Sequence, residues 1–588
     1  MNESRIGELL VFLYGEEAGK LMLPELMKIL EAFRHSGGKR NSAGSGDPIS
    51  HRDAFLISYG DMLAEGKKAP EVSGFARLNR FLAKWNRGSF SYLHLLPFHP
   101  YSSDDGFSVI DYRAVDSRFG SWADIEKLGR RFKLVFDFVL NHGSVKSSWF
   151  RKFLAGEGEY KNWYITRPAD YDYSAVTRPR THPLLTPFQR DDGSTAHVWT
   201  TFSADQADYD FSRPEVLLEF IRIFLEYARR GGKMLRLDAI AYLWKEDGTS
   251  CIHHPKTHGV VKLFRALIEY LNLDMLLLTE TNVPHRENIS YFGETGSPEC
   301  AGGDEAHLVY NFALPPLILY AALSGDPEPL KKWAAGLPAL PPGQYYLNFL
   351  ASHDGVGLTP ARGLVEEAAF TAAIAEARNR GALVSMKSSP QGPVPYELNC
   401  SWADMTAPES LGSPEKQARA FLNTYGIALA LPGLPAVYFH SWIGSRAWKE
   451  GPSLLGFNRA INREKPAINR VEREMGDKSS FRYQVNRGFQ RLLKFRRREP
   501  AFSPGSPCRI LDSPDGVFAL IRGPDKRGRS IVCVHNFSAQ NKRIDLSQID
   551  SKGSGKSHLP SFDEIPVEAN SFFWLAFGGN RKIRKLAR

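Results

Sequence analysis

Carboxylates, histidines and an arginine recur at the ends of short apolar runs along this chain. Asp137 and the pair Asn141 and His142 close KLVFDFVL (133–140). Arg236 and Asp238 close KMLRLDA (233–239), Glu280 closes MLLLTE (275–280), and His353 and Asp354 follow YYLNFL (345–350). A lone aspartate after an apolar strand is more often a helix cap or turn residue than a chemical group. Four polar clusters at successive strand ends weaken that bland reading. Two facing carboxylates are what cleavage of a glycosidic bond requires: one ionised to attack the anomeric carbon, the other protonated to assist the leaving oxygen. Arg236 stands two residues before Asp238 and so shares its face of an extended strand. There its charge and hydrogen bonds favour an ionised Asp238, as suits a nucleophile. Glu280 emerges from the apolar MLLL run, where desolvation favours the protonated acid.

The elements that must position these groups read as alternating strands and helices. Further apolar runs are AFLISYG (54–60), YLHLLPF (92–98), LVYNF (308–312) and LPAVYF (434–439). Several are nearly continuous, as expected for parallel strands buried on both faces. Helical patterns fall between them at 122–132, 215–230 and 260–271. Repeated β–α units predict an α/β chain built as a TIM-type (β/α)8 barrel, the count of eight drawing on the resemblance given below. Residues 51–504 form the expected catalytic barrel, with long excursions at about 143–212, after the third strand, and 356–415, after the seventh. In a barrel such excursions sit over the active face. Residues 1–50 read as a helical extension with a loose linker, and 505–588 as a small antiparallel β domain ending in a basic run taken as a solvated tail.

Composition bounds the function. With 588 residues, 43% apolar and 24% charged, the chain suits an ordinary globular enzyme. Its net charge of +10 is modest for this length and predicts neither nucleic acid nor membrane as a partner. The opening residues lack the basic head and apolar run of a signal peptide, so a cytoplasmic enzyme is expected. Five scattered cysteines (Cys251, Cys300, Cys400, Cys508 and Cys533) suit reduced thiols rather than a disulfide frame or zinc site. His253, His254 and His258 are read as rim structure rather than metal ligands, and no metal or organic cofactor is expected.

DFVLNH (137–142), RLDAIAY (236–242), LLTE (277–280) and ASHD (351–354) resemble the four signature regions of the α-amylase family, glycoside hydrolase family thirteen. LLPFHPYSSDDGFSVIDY (95–112), TSCIHHPKTH (249–258) and SHDGVGL (352–358) resemble its sucrose phosphorylase branch. RPRTHPLLTPF (178–188), WTTFSADQ (199–206), TETNVPHRENISYFG (279–293) and NRAINR (458–463) are most similar to the glucosylglycerate-active group of that branch. The resemblance implies Asp238 as the nucleophile that carries the glucosyl group, Glu280 as acid/base, and Asp354 as the group that binds sugar hydroxyls and stabilises the oxocarbenium-like transition state. It also implies a glucose subsite lined by Asp105, His142, Phe202, Gln206, Arg236, Tyr242, His353 and Arg463. Arg178, Arg180, Glu397, Asn399 and Trp402 are the implied contacts for phosphate or the acceptor. A small sugar and inorganic phosphate, as co-substrate, are the implied partners, and monomer and homodimer stay open.

Two segments depart from sucrose phosphorylases proper. Ser108-Val109-Ile110-Asp111-Tyr112 replaces their aspartate-proline-isoleucine-aspartate-histidine run, and TNVPH follows Glu280. Both argue against sucrose as the main donor. The alternatives are phosphorolysis of sucrose, sucrose 6'-phosphate or glucosylglycerol, then a hydrolase or transglucosidase, then a non-catalytic binding module.

Overall fold

The computed structural model describes residues 3–36, 47–65, 72–294, 303–387, 392–544, 564–578 and 584–587. Eight parallel strands close into a barrel: β1 Phe55–Ser58, β2 Tyr92–Leu95, β3 Lys133–Val139, β4 Gly232–Asp238, β5 Leu276–Thr279, β6 Leu308–Tyr310, β7 Tyr345–Asn348 and β8 Leu434–Tyr438. Each falls within an apolar run or, for β4, begins one residue before it. Most of the runs overshoot their strand, because the chain leaves the barrel wall where its polar residues begin. Nearly every side chain of these strands is buried, which is why they read as continuous apolar stretches rather than alternating ones. Helices Pro214–Arg229 and Pro255–Tyr270, each with proline in the first turn, carry the chain back along the outside between β3, β4 and β5.

Register decides which strand-end groups meet. β3 and β4 pair so that Asp137 lies beside Arg236 and Val139 beside Asp238. β4 and β5 pair Leu237 with Thr279, placing Glu280 one step beyond the strand ends next to Asp238. The first excursion holds a hairpin, Leu185–Gln189 with Thr195–Trp199, and a strand Gln206–Asp208 that pairs back onto His142–Ser144. The second holds helix Glu367–Asn379 and a three-stranded sheet of Val356–Gly357, Val394–Asn399 and Leu383–Lys387. Gly143 has a packing reason that the sequence concealed: a Cβ there would strike the Tyr209 ring and hydroxyl, on the strand pair that ties the first excursion to the barrel.

Helices Glu3–Tyr14 and Glu16–His35 form the N-terminal extension, and the first buries Ile6, Leu9, Leu10 and Leu13 in a core continuous with the barrel. At the other end, Cys508–Leu511, Val517–Arg522, Arg529–Asn536, Ser571–Gly578 and Arg584–Ala587 make a five-stranded sheet, antiparallel at every pairing. The basic tail is therefore not wholly solvated. Arg584–Ala587 pair with Phe573–Ala576, and Lys585 Nζ lies 5.4 Å from the Phe573 ring centroid. Its remaining residues lie outside the described ones. Cys251, Cys400, Cys508 and Cys533 are free thiols, and Cys300 also lies outside the described residues. Among the described residues no helix is long and apolar enough to cross a membrane.

Candidate active site

A pocket enclosing about 1140 Å³ of empty space out to its mouth opens at the C-terminal ends of the barrel strands. Asp238, Glu280 and His353 line it together with Asp354 and Arg236, so the strand-end clusters converge on one cavity. Arg236 ties them together. Its Nη1 donates to Asp238 Oδ1 at 2.7 Å and also to Asp137, while Nη2 lies 3.9 Å from Glu280 Oε2. His94 Nε2 donates to the other oxygen of Asp137 at 2.8 Å. Burial opposes the guanidinium charge, but Asp137 and Asp238 raise the Arg236 pKa further still. The cation is fixed.

Ala239, directly after the proposed nucleophile, adopts a left-handed backbone (φ 48°), and its N–H donates to Glu280 Oε2 at 2.9 Å. Asp104 and Asp105 are left-handed as well, at φ 52° and 49°, and Gly106 follows at φ 113°, where a Cβ would strike Pro97. Such backbone costs about 1–3 kcal/mol per non-glycine residue and persists where the surroundings over-determine it. Here it turns an amide toward one carboxylate and an aspartate into the cavity.

Burial raises both Asp238 and Glu280 above the usual carboxylate range, with Arg236 pulling each the other way. The hold of Arg236 on Asp238 is thus weaker than the residue types alone suggest. Two buried carboxylates that share Arg236 and repel each other keep one proton. It belongs on Glu280, because Asp238 takes the short Arg236 hydrogen bond. Asp354 differs: although burial raises it, Arg459, His353, Arg463 and Arg236 together hold it well below the ordinary range. His142 is pushed down to about 4 by burial and stays neutral. It sits 5.1 Å, centroid to centroid, from Phe202, whose ring meets Tyr242 edge-on at 5.5 Å.

Among the other expected residues, His142, Phe202, Gln206, Tyr242, Arg180 and Glu397 line the pocket. Asp105 and Arg463 stand beside it, paired at 2.7 Å, while Asp104 takes the place on the wall. Arg178 turns away, donating to the His182 carbonyl and lying over Tyr173. Asn399 donates to Ser385 Oγ at 2.9 Å, within its own sheet, and Trp402 is buried with Nε1 donating to Thr424 Oγ1 at 3.0 Å. Glu397 and Asn399 flank Leu398 and share a face of their strand, yet Asn399 closes that strand and only Glu397 lines the pocket. We expect Trp402→Phe to lower stability by about 2–3 kcal/mol, from the lost hydrogen bond and the space left by the smaller ring, and to leave acceptor KM unchanged. Thermal unfolding beside steady-state kinetics checks this. His253, His254 and His258 serve the rim. His253 meets Tyr291, His254 caps helix Pro255–Tyr270, and His258 lies 2.9 Å from Glu305.

Among the pocket residues missed by sequence are Arg459, Asp104, Asn282 and Tyr396. Arg459 donates through Nε and Nη2 to both oxygens of Glu397, at 3.0 and 2.8 Å, and its Nη1 pairs with Asp354. Its one sequence signal is its place four residues before Arg463, in NRAINR.

A closed (β/α)8 barrel with Asp, Glu and Asp at the ends of β4, β5 and β7 defines an α-amylase-type carbohydrate-active enzyme. The alpha amylase catalytic domain matches residues 90–335. A glucosylglycerate phosphorylase of Spirochaeta thermophila is 45% identical over 91% of this chain and 89% of its own length, and one of Escherichia coli is 41% identical over 85% and 87%. The crystal structure of a sucrose 6F-phosphate phosphorylase from Thermoanaerobacter thermosaccharolyticum shares the fold, with a TM-score of 0.73 at 23% identity over 93% of this chain and all of that one. The chain belongs to the glucosylglycerate phosphorylase family.

Proposed function

We propose that the chain catalyses the reversible phosphorolysis of 2-O-α-D-glucosyl-D-glycerate to α-D-glucose 1-phosphate and D-glycerate. Asp238 attacks C1 as the C1–O bond to glycerate breaks, and Glu280 passes its proton to the departing oxygen. Phosphate then enters, loses a proton to Glu280 and displaces Asp238 from C1, so two inversions give net retention. Asp354, kept ionised by Arg459, accepts from the sugar hydroxyls and offsets the positive charge that develops at C1. Phe202 and Tyr242 present aromatic walls on the same side of the cavity.

The observation that carries this reading is the Asp238–Arg236–Glu280 cluster facing Arg180 across one pocket. Arg180 forms no ion pair among the described residues, and its guanidinium lies 5.7 Å from the Phe202 ring centroid and 5.8 Å from that of Tyr396. A guanidinium on an aromatic ledge, open to the cavity, suits a phosphate or a carboxylate alike. This is the reason one site can bind phosphate in one direction and glycerate in the other. In this reading phosphate is a co-substrate and no metal or organic cofactor takes part. Free thiols and phosphate chemistry fit a reducing cytoplasmic setting.

Phosphate release from α-D-glucose 1-phosphate, measured with D-glycerate, fructose, fructose 6-phosphate, glycerol or no acceptor, tests the proposal. Fast release with D-glycerate alone is expected. Release with another acceptor overturns the substrate, and release to water alone overturns phosphorolysis. Arg180→Ala should raise KM for both phosphate and glycerate about 10–100-fold, the worth of a hydrogen bond to a charged group. Arg178→Ala should leave both nearly unchanged.

A further inference from the structure

Below the barrel, at the N-terminal ends of its strands, lies an open cleft enclosing about 1670 Å³ of empty space out to its mouth, separate from the catalytic pocket. Its wall carries Arg52, Arg497, Arg498, Lys526 and Arg527 with His51, against two carboxylates, Asp47 and Asp525. Arg52, Lys526 and Arg527 are exposed, and among the described residues none of the three forms an ion pair. Asp525 is occupied by its own loop, accepting from the amides of Arg527 and Arg529.

The floor is unusual. Two buried arginines hold it, and both meet main-chain carbonyls rather than carboxylates. Arg496 donates to the carbonyls of His51, Asp53, Leu429, Gly433 and Phe502. Arg522 donates to those of Ser503, Ser506, Pro507 and Ala430. His51, Ser503, Ser506 and Pro507 are themselves cleft residues, so the two guanidinium groups fix its backbone while adding charge beneath it. Buried charge is little screened by water or salt, so its field reaches the cleft above. Burial and the neighbouring Arg522 push Arg496 down to about 9, which still leaves it charged at neutral pH.

We propose that this cleft is a second anion site, for a small ligand bearing two linked or neighbouring phosphate groups. Five cations line one cleft, more than a single phosphate can pair with, and the fixed floor distinguishes it from scattered surface charge. Arginine predominates, as suits bidentate contact with phosphate oxygens. The ligand is either inorganic pyrophosphate or an organic bisphosphate.

Isothermal titration of the full chain with sodium pyrophosphate, and separately with fructose 1,6-bisphosphate, tests the site. Saturable binding of at least one is expected, retained in Arg180→Ala and weakened at least about tenfold in the triple variant Arg52→Glu, Lys526→Glu, Arg527→Glu. That variant should keep the wild-type melting temperature and basal turnover. Tighter binding of pyrophosphate identifies the inorganic source, and tighter binding of the bisphosphate the organic one. Binding lost in Arg180→Ala but intact in the triple variant would place the ligand in the catalytic pocket and overturn the proposal. Absence of binding by either probe would overturn it as well.

Discussion

Asp238→Asn should abolish phosphorolysis, lowering kcat by roughly 10⁴-fold or more, while the fold and the glucose 1-phosphate affinity survive. The substitution keeps volume and the contact with Arg236 but removes the oxygen that bonds to C1. Glu280→Ala should be equally severe on glucosylglycerate, whose leaving oxygen needs a proton. It should be mild in the first step on α-glucosyl fluoride, whose leaving group needs none. Adding azide to Glu280→Ala should then yield α-glucosyl azide, because the small anion attacks the covalent intermediate without a general base. β-Glucosyl azide from that variant would exchange the proposed roles of the two carboxylates. The pH profile follows from the same pair. The proposed mechanism needs Asp238 ionised and Glu280 protonated. It should fall at low pH as Asp238 gains a proton and at high pH as Glu280 loses one, with both limbs displaced upward by burial. Glu280→Gln should flatten the basic limb of any residual activity.

Much of this site could be read from the sequence because strand ends mark it. Asp238, Glu280 and Asp354 follow apolar runs whose burial pattern fixes where each strand stops, and neighbouring β-strand registers do the rest. The loop residues resisted. Arg178 and Arg180 are equivalent in sequence, yet the two point apart, one to the His182 carbonyl and one to the cavity. The aromatic neighbours that decide this, Tyr173 on one side and Phe202 with Tyr396 on the other, come together only on folding. Asp105 and Asp104 exchange places because consecutive left-handed residues reverse the ordinary alternation of side chains. The resemblance placed Trp402 among the acceptor contacts, but its indole packs against Tyr425 and donates to Thr424. The tail misled for the opposite reason. Its charge dominated the reading, although four of its residues, Arg584–Ala587, add an edge strand to the sheet.

Arg459→Gln should be the most damaging change outside the carboxylate pair, and its cause can be separated from simple unfolding. The guanidinium bridges Asp354 on the barrel to Glu397 on the second excursion, with Glu397 buried and the other two partly buried. Removing it leaves two carboxylates without their main partner, a loss of about 3–5 kcal/mol when a buried pair is broken. Asp354 has a depressed folded pKa, so its stabilising share is present at neutral pH and is lost only as pH falls through that low value. Without Arg459 its pKa rises, and that share is lost at much higher pH. The thermal midpoint of Arg459→Gln should therefore drop and become more sensitive to acid than that of the wild type. The double variant Arg459→Gln, Glu397→Gln removes one stranded charge and should recover part of the stability. It should not recover turnover, which we expect to stay about 10²–10³-fold down, since Asp354 would still lack the cation that keeps it ionised and oriented. Recovery of turnover together with stability would mean that Arg459 only holds the excursion in place. Stability regained without turnover assigns it to the geometry of Asp354 itself.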